Sequence, residues 1–286
     1  MDRHVVIRYY EIEHPNDGSP RFEEILRRLG SLNVADREGS LDDGAVTLRL
    51  EHIFEEDGLL IGDLTRVQSR NLPGHVIETG VEKLPVKKIG HSAVFLYDPE
   101  TACLALQFDQ SMGVSRFCRY LRSKSHGADF QRLPYLKADT LTRFRGQTPT
   151  RLRLKIAKTK NFQKVRPNTT DFEEQFERWS RMFDAPSIEL ILSTRGEDKS
   201  LDAAEVWNTI RRWIGFRGEI EGIKNVEADT IESDKAFNFL KDLLFDESTL
   251  ELPDNDPVGS RNVRTDYMRM CYGKHRDFFR GAAGVL

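Results

Sequence analysis

Apolar residues along the chain recur with two periods, and the period decides what each stretch predicts. "HVVIRYYEIE" (residues 4–13) alternates and is rich in β-branched and aromatic residues, so it predicts a strand. In "RFEEILRRLGSL" (21–32), Phe22, Ile25, Leu26 and Leu29 share one face of a helix, and Gly30 suits its end. A polar loop follows at 35–44. "AVTLRLEHIFEE" (45–56) and "GLLIGDLTRVQ" (58–68) predict paired strands joined by a short "EDG" turn. Residues 70–90 show no clear period and are expected to wrap the surface. "HSAVFLYDPETACLALQFD" (91–109) predicts a second hairpin that turns at "DPET". "GVSRFCRYLRSKS" (113–125) predicts a helix with Val114, Phe117, Cys118 and Leu121 inward, and with Arg116, Arg119 and Arg122 on its other faces.

A proline-containing stretch at 129–150 marks a change of subdomain. Beyond it, "RLRLKIAK" (151–158) alternates strictly: Leu152, Leu154 and Ile156 on one side, Arg151, Arg153 and Lys155 on the other. A helix is expected at 169–183, capped by Thr170 or Asp171. A strand is expected at 187–196, and at 200–215 a helix that opens on a cap at Ser200. A strand at 218–228, a helix over "KAFNFLKDLLF" (235–245), a loop at 251–260 and a terminal helix at 262–280 complete the series. On that last helix Tyr267, Met270, Cys271, His275 and Phe278 form the expected apolar stripe. The predicted class is α+β, with mixed antiparallel sheets and helices, in two closely packed subdomains at 1–135 and 136–286.

Charge changes this picture. The 286 residues carry a net charge of −3, yet residues 110–170 hold fifteen Lys and Arg against only Asp129 and Asp139, a local balance of +13. Residues 1–109 and 171–286 each carry −8. Between Thr140 and Thr170 there is no acid at all. Such an asymmetry points to a polyanionic partner. The alternative is that the basic segment folds against the acidic thirds and cancels them. Period two sets Arg151, Arg153 and Lys155 about 6.6 Å apart along one face, close to the spacing of phosphates on an extended nucleic-acid backbone. Arg143 and Arg145 precede this row, and Lys158, Lys160, Lys164 and Arg166 follow it. Contacts of this type hold phosphates without reading bases. Phe144 and Phe162 are the only aromatics nearby, too few for a base-stacking platform, so duplex binding fits better than single-strand binding. Arg116, Arg119 and Arg122 are further candidates.

Candidate chemistry is sparse. The chain has no Gly-rich phosphate loop, no HExxH and no GxSxG. Its seven histidines lack metal-ligand spacing, and Cys103, Cys118 and Cys271 are far apart and form no CxxC. No cofactor is expected. A reduced, cytoplasmic protein without membrane insertion is expected, because no apolar run approaches the ~20 residues of a span. "HRD" at 275–277 imitates a kinase loop without its surrounding motifs and reads as the polar face of a helix. Glu189, with Asp184 before it, is the candidate for a metal-dependent nuclease, although the next cation is Arg195 rather than a lysine.

The order of these elements resembles the RexA-like family of prophage and anti-phage defence proteins. The resemblance rests on the opening "VVIRYYEIE" and "FEEILRRLGSL", on "SMGVSRFCRYL" after the two hairpins, on the run "SIELILSTRG…AAEVWNTIRRWIG…GEIEGIKNVEA", and on "YMRMCYGKHRDFF" near the end. It implies a non-enzymatic, sequence-tolerant DNA-binding protein acting in phage exclusion as a homodimer, with a second defence-system protein as a further partner. It assigns no individual DNA contact. A metal-dependent nuclease effector and a regulator that binds an acidic protein stand as the alternatives.

Overall fold

The structure is a computed structural model that describes residues 1–14, 18–41, 46–70, 72–77, 80–83, 85–109, 112–125, 128, 130–157, 178–179, 182–183, 187–194, 199–216 and 223–282. The fold is α+β, built on antiparallel sheets. It divides into two compact units, Met1–Gln131 with Phe245–Leu286, and Arg132–Leu244. The boundary near residue 131 lies close to the expected one at 135. The expectation that 136–286 form one unit is corrected: the chain returns to the first unit at Phe245.

In chain order the first unit contains β1 (Asp2–Glu13), α1 (Phe22–Ser31), a 3-10 turn (Val34–Arg37), β2 (Gly39–Leu41), β3 (Val46–Glu56), β4 (Leu59–Gln68), β5 (Gly74–Ile77), β6 (Gly80–Lys83), β7 (Ile89–Asp98), β8 (Cys103–Gln107) and α2 (Val114–Lys124). The second contains β9 (Gln131–Pro134), α3 (Ala138–Phe144), β10 (Pro149–Ala157), β11 (Ser187–Ser193), α4 (Ala203–Phe216), β12 (Ile223–Thr230) and β13 (Ser233–Asn238). The first unit then resumes with β14 (Phe245–Glu251) and α5 (Pro257–Ala282).

The sheet of the first unit runs β14-β1-β8-β7-β4-β3-β2. The predicted turn between β3 and β4 forms: Glu56 pairs with Leu59, while Asp57 (φ 51°) and Gly58 (φ 78°) take the left-handed conformation that a two-residue hairpin demands. Residues 70–90 depart from expectation. Gly74–Ile77 pairs with Gly80–Lys83 as a separate hairpin, too short for its period to register in the sequence.

Helices cover both faces of this sheet, and alternation along the strands assigns the residues to each. Tyr10, Phe95, Tyr97 and Leu104 enter the core beneath α1 and α2, with Phe22, Ile25, Leu26, Phe117 and Leu121. Tyr9 and Asp98, one position out of phase with Tyr10 and Tyr97, meet α5. Tyr9 packs on Phe279, with ring centroids 5.2 Å apart. Tyr272 donates to Asp98 and lies 3.2 Å from the Thr101 hydroxyl. Asp98 also accepts from the Glu100 amide at 2.8 Å, which closes the β7–β8 turn. Burial and the bond to Asp98 push the Tyr272 hydroxyl above the usual tyrosine range.

Asp246 on β14 is the second anchor of α5. It accepts hydrogen bonds from Tyr9 at 2.7 Å, Lys274 at 2.9 Å and the His275 ring at 2.8 Å. Burial pushes this carboxyl up, but the Tyr9, Lys274 and His275 contacts outweigh it and hold it below its ordinary value. His275 and Asp277 of the "HRD" triplet therefore lie on a packing helix. Pro257 occupies the first turn of α5, and Asp256 caps it through the Gly259 amide at 2.9 Å.

The face of α5 differs from the expected stripe. Arg264, Thr265, Met268, Cys271, Tyr272 and Phe279 are buried, whereas Met270 is 65% exposed and Phe278 only half-buried. Buried polar residues displaced the reading, since Arg264 donates to Ser92 O at 2.8 Å and to Gln107 Oε1 at 3.0 Å. Apolar periodicity cannot register a guanidinium that faces inward.

In the second unit the sheet order is β11-β10-β12-β13. The expected helix at 235–245 is instead β13 followed by the start of β14. Ala228 pairs with Phe237 and Glu227 with Asn238, so pairing to β12 decides a stretch that either period could describe. The cap of α4 is Asp202, which accepts the Glu205 amide at 2.9 Å, rather than Ser200. The expected helix at 169–183 lies outside the described residues except for 178–179 and 182–183, and the strand expected at 218–228 is described from Ile223. Among the described residues, no helix is long and apolar enough to cross a membrane.

Two measurements test the docking of α5. Phe279→Ala should lower the unfolding free energy by about 3–5 kcal/mol, whereas Met270→Ala should stay within about 0.5 kcal/mol of wild type. Both are read from urea denaturation. Because the folded-state pKa of Asp246 is depressed, its contribution is complete above the ordinary carboxylate range and is lost as pH falls through the folded value. Asp246→Asn should therefore lose less stability than wild type between about pH 7 and about pH 3; equal losses would contradict the assignment.

Candidate nucleic-acid interface

The basic strand β10 is central in its sheet, with β11 on one side and β12 on the other. Its alternation is as predicted. Leu152, Leu154 and Ile156 are buried in a core with Val206, Ile210, Trp213 and Ile214 of α4, and with Val226 and Ala228 of β12. Arg151, Arg153 and Lys155 take the opposite face; the two arginines are half-buried and Lys155 is exposed.

The neighbouring strands carry acids at the same period. In register, Arg151 lies opposite Asp229, Arg153 opposite Glu227, and Lys155 opposite Glu189. Arg151 is 3.7 Å from the Asp229 carboxylate. Arg153 lies between two carboxylates, 3.4 Å from Glu189 and 3.8 Å from Glu227. Glu227 also accepts from the Asn238 amide at 2.9 Å. The row is therefore not left unneutralised: for Arg151 and Arg153 the counter-charge reading describes the geometry. These groups are more than a third exposed except for Glu227, so each pair is worth about 0–1 kcal/mol.

Other candidates stand outside this ladder. Arg143 and Arg145, at the end of α3, are exposed. The Arg143 guanidinium lies over the Phe237 ring at 5.2 Å, which leaves its charge available. The amide of Arg145 closes α3 on Leu141 O at 2.9 Å, and Gly146 (φ 79°) then turns the chain into β10. Among the described residues, neither Arg143, Arg145 nor Lys155 makes an ion pair. Lys158, Lys160, Lys164 and Arg166 lie outside the described residues. Arg116, Arg119 and Arg122 belong to the first unit, on α2. Arg122 is a packing residue there: it donates to Phe130 O and lies 5.0 Å from that ring.

Glu189, the candidate nuclease carboxylate, is a partner of Arg153. Asp184 lies outside the described residues. Among the described residues, no three His, Cys, Asp or Glu side chains are grouped to hold a metal ion. Cys103, Cys118 and Cys271 are buried and form no disulfide, and burial pushes the Cys103 and Cys271 thiols above the ordinary range. The residues that sequence reasoning overlooked are the acids Glu227 and Asp229. Their signal was present, since Asn225, Glu227 and Asp229 alternate with buried Val226 and Ala228.

No protein-family model matches the chain, and a search of curated proteins finds no match.

The ion-pair ladder makes a prediction that separates its members. Arg153→Glu faces Glu189 and Glu227 at once, and two cross-strand repulsions with the lost attractions should cost about 1–2 kcal/mol. Lys155→Glu meets one acid and should cost less than about 1 kcal/mol. Adding Glu227→Lys to Arg153→Glu should recover part of the loss. Urea unfolding of the three variants decides the matter; an unchanged midpoint for Arg153→Glu would show that the ladder carries no stability.

Proposed function

We propose that the chain binds double-stranded DNA with little sequence preference, through the cations of residues 143–166, and acts in phage exclusion. One observation carries the reading: a segment with no acid between residues 140 and 170 sits in an otherwise acidic chain. Arg143, Arg145 and Lys155, all exposed, add support. Arg151 and Arg153 remain available as well, because surface ion pairs of this strength exchange readily for phosphates. The antiviral setting, the homodimeric state, the second defence-system protein and the cytoplasmic location are part of this proposal and rest on the resemblance to the RexA-like family.

The nuclease alternative has less support: among the described residues, no three His, Cys, Asp or Glu side chains are grouped to hold a metal ion. Gel shifts over a salt series, with and without Mg²⁺, test the proposal. With about six phosphate contacts, log K should fall with log salt at a slope of about −5, and alike for unrelated duplexes. Arg143→Ala and Arg145→Ala should each flatten the slope by about 1. A salt-independent affinity would overturn the reading. Capture of an acidic protein in place of DNA would favour the regulator alternative, and cleavage in Mg²⁺ would favour the nuclease.

A further inference from the structure

The acids beside β10 lie close to its arginines but do not grip them. Charge-assisted hydrogen bonds between a guanidinium and a carboxylate close to about 2.7–2.9 Å. The ladder pairs are longer: Arg151 stands 3.7 Å from Asp229, and Arg153 stands 3.4 Å from Glu189 and 3.8 Å from Glu227. Among the described residues, the buried Nε of Arg153 makes no hydrogen bond, although Glu189 Oε1 is the atom 3.4 Å from it. The acids therefore neutralise these arginines without fixing the direction of either guanidinium.

The carboxylates themselves are held by the sheet. Glu189 is carried on β11, and Glu227 and Asp229 on β12, each opposite a β10 cation in register. Glu227 is held further by the Asn238 amide at 2.9 Å. An arginine that turns to a phosphate thus leaves its acids behind on the same face. Lys155 differs from its neighbours. It lies opposite Glu189 on one side and the uncharged Asn225 on the other, and among the described residues it makes no ion pair.

A cation that is free before binding releases a condensed counterion from DNA for each phosphate it neutralises. An arginine that leaves a carboxylate gives no net release, because the abandoned carboxylate takes up a cation as the DNA loses one. We propose that Glu189, Glu227 and Asp229 attenuate the binding of duplex DNA by this exchange: they keep Arg151 and Arg153 as latent phosphate contacts, whereas Lys155 is an open one. This inference rests on the DNA-binding reading and adds to it the residues that set its strength.

The test uses the full chain and a duplex of about 30 base pairs, long enough for several phosphate contacts, with affinity read by fluorescence anisotropy over a salt series. In the wild-type background, Lys155→Ala should flatten the slope of log K against log salt by about 1, whereas Arg153→Ala should leave it unchanged. The double variant Glu189→Gln, Glu227→Gln should bind about tenfold more tightly at low salt, with a slope steeper by about 1. In that background Arg153→Ala should flatten the slope by about 1. Asp229→Asn should act on Arg151 in the same way. Glu205→Gln controls for net charge: Glu205 is exposed on α4, the helix that covers the apolar face of the sheet, and its loss should leave affinity within about twofold of wild type. Circular dichroism should show each variant folded, since exposed ion pairs contribute little to stability. A wild-type slope that Arg153→Ala flattens as much as Lys155→Ala does would overturn the attenuation and leave DNA binding standing. Unchanged or weaker binding by the Gln double variant would do the same, the weaker binding showing that the acids position the arginines. No duplex binding by wild type or by the Gln and Asn variants would overturn the DNA-binding reading as well.

Discussion

Burial of Leu152, Leu154 and Ile156 against α4 leaves Arg151, Arg153 and Lys155 only the opposite face of the sheet. A slip of one residue would bring three charges into the core and put three apolar side chains in water, so the register is firmly specified. Because β10 is central, its cations meet neighbours on both sides. The same alternation in β11 and β12 brings Glu189, Glu227 and Asp229 to that face. A charge pattern that looks one-sided along the chain is thus two-signed across the sheet. Among the described residues, Lys155 makes no ion pair, and Arg143 and Arg145 are exposed at the end of α3.

In the first unit a comparable constraint acts through polar groups. Helix α5 is placed on its sheet by two carboxylates, Asp98 at a hairpin turn and Asp246 on the returning strand. Both are largely buried, and both are satisfied by donors from the helix, as buried polar groups must be. Around them Tyr9, Tyr272 and Phe279 supply the apolar contact area. Hydrophobic contact alone would let a helix rotate about its axis, whereas directional bonds from Tyr272 and His275 select one rotation. That selection turns Met270 outward and Arg264 inward.

The two arrangements differ in what they leave available for function. The α5 contacts are enclosed, and loss of either carboxylate leaves buried donors without acceptors. The β10 ladder is half-exposed and cheap to rearrange, so its arginines are not committed to the fold. Between these extremes, the β12–β13 turn is held at the surface by four hydrogen bonds that join Thr230, Ile231 and Glu232 to Gln147 and Thr148.

Local pattern by itself determined the α+β class, the opening strand and helix, both long hairpins, α2, and the division of β10 into an apolar and a cationic face. Each of these depends on a period of two or 3.6 that survives in any environment. The turn at Asp57–Gly58 was legible for the same reason, since a left-handed pair has few sequences that suit it. Only the tertiary structure decided that residues 235–245 are strand and turn, because partner strands resolve an ambiguous apolar run. Only it returned β14 to β1, which moved the terminal helix into the first unit. It also decided which acids answer Arg151 and Arg153. Glu189, Glu227 and Asp229 lie between 36 and 78 residues away in sequence, and a pattern read along one strand carries no record of the strands beside it.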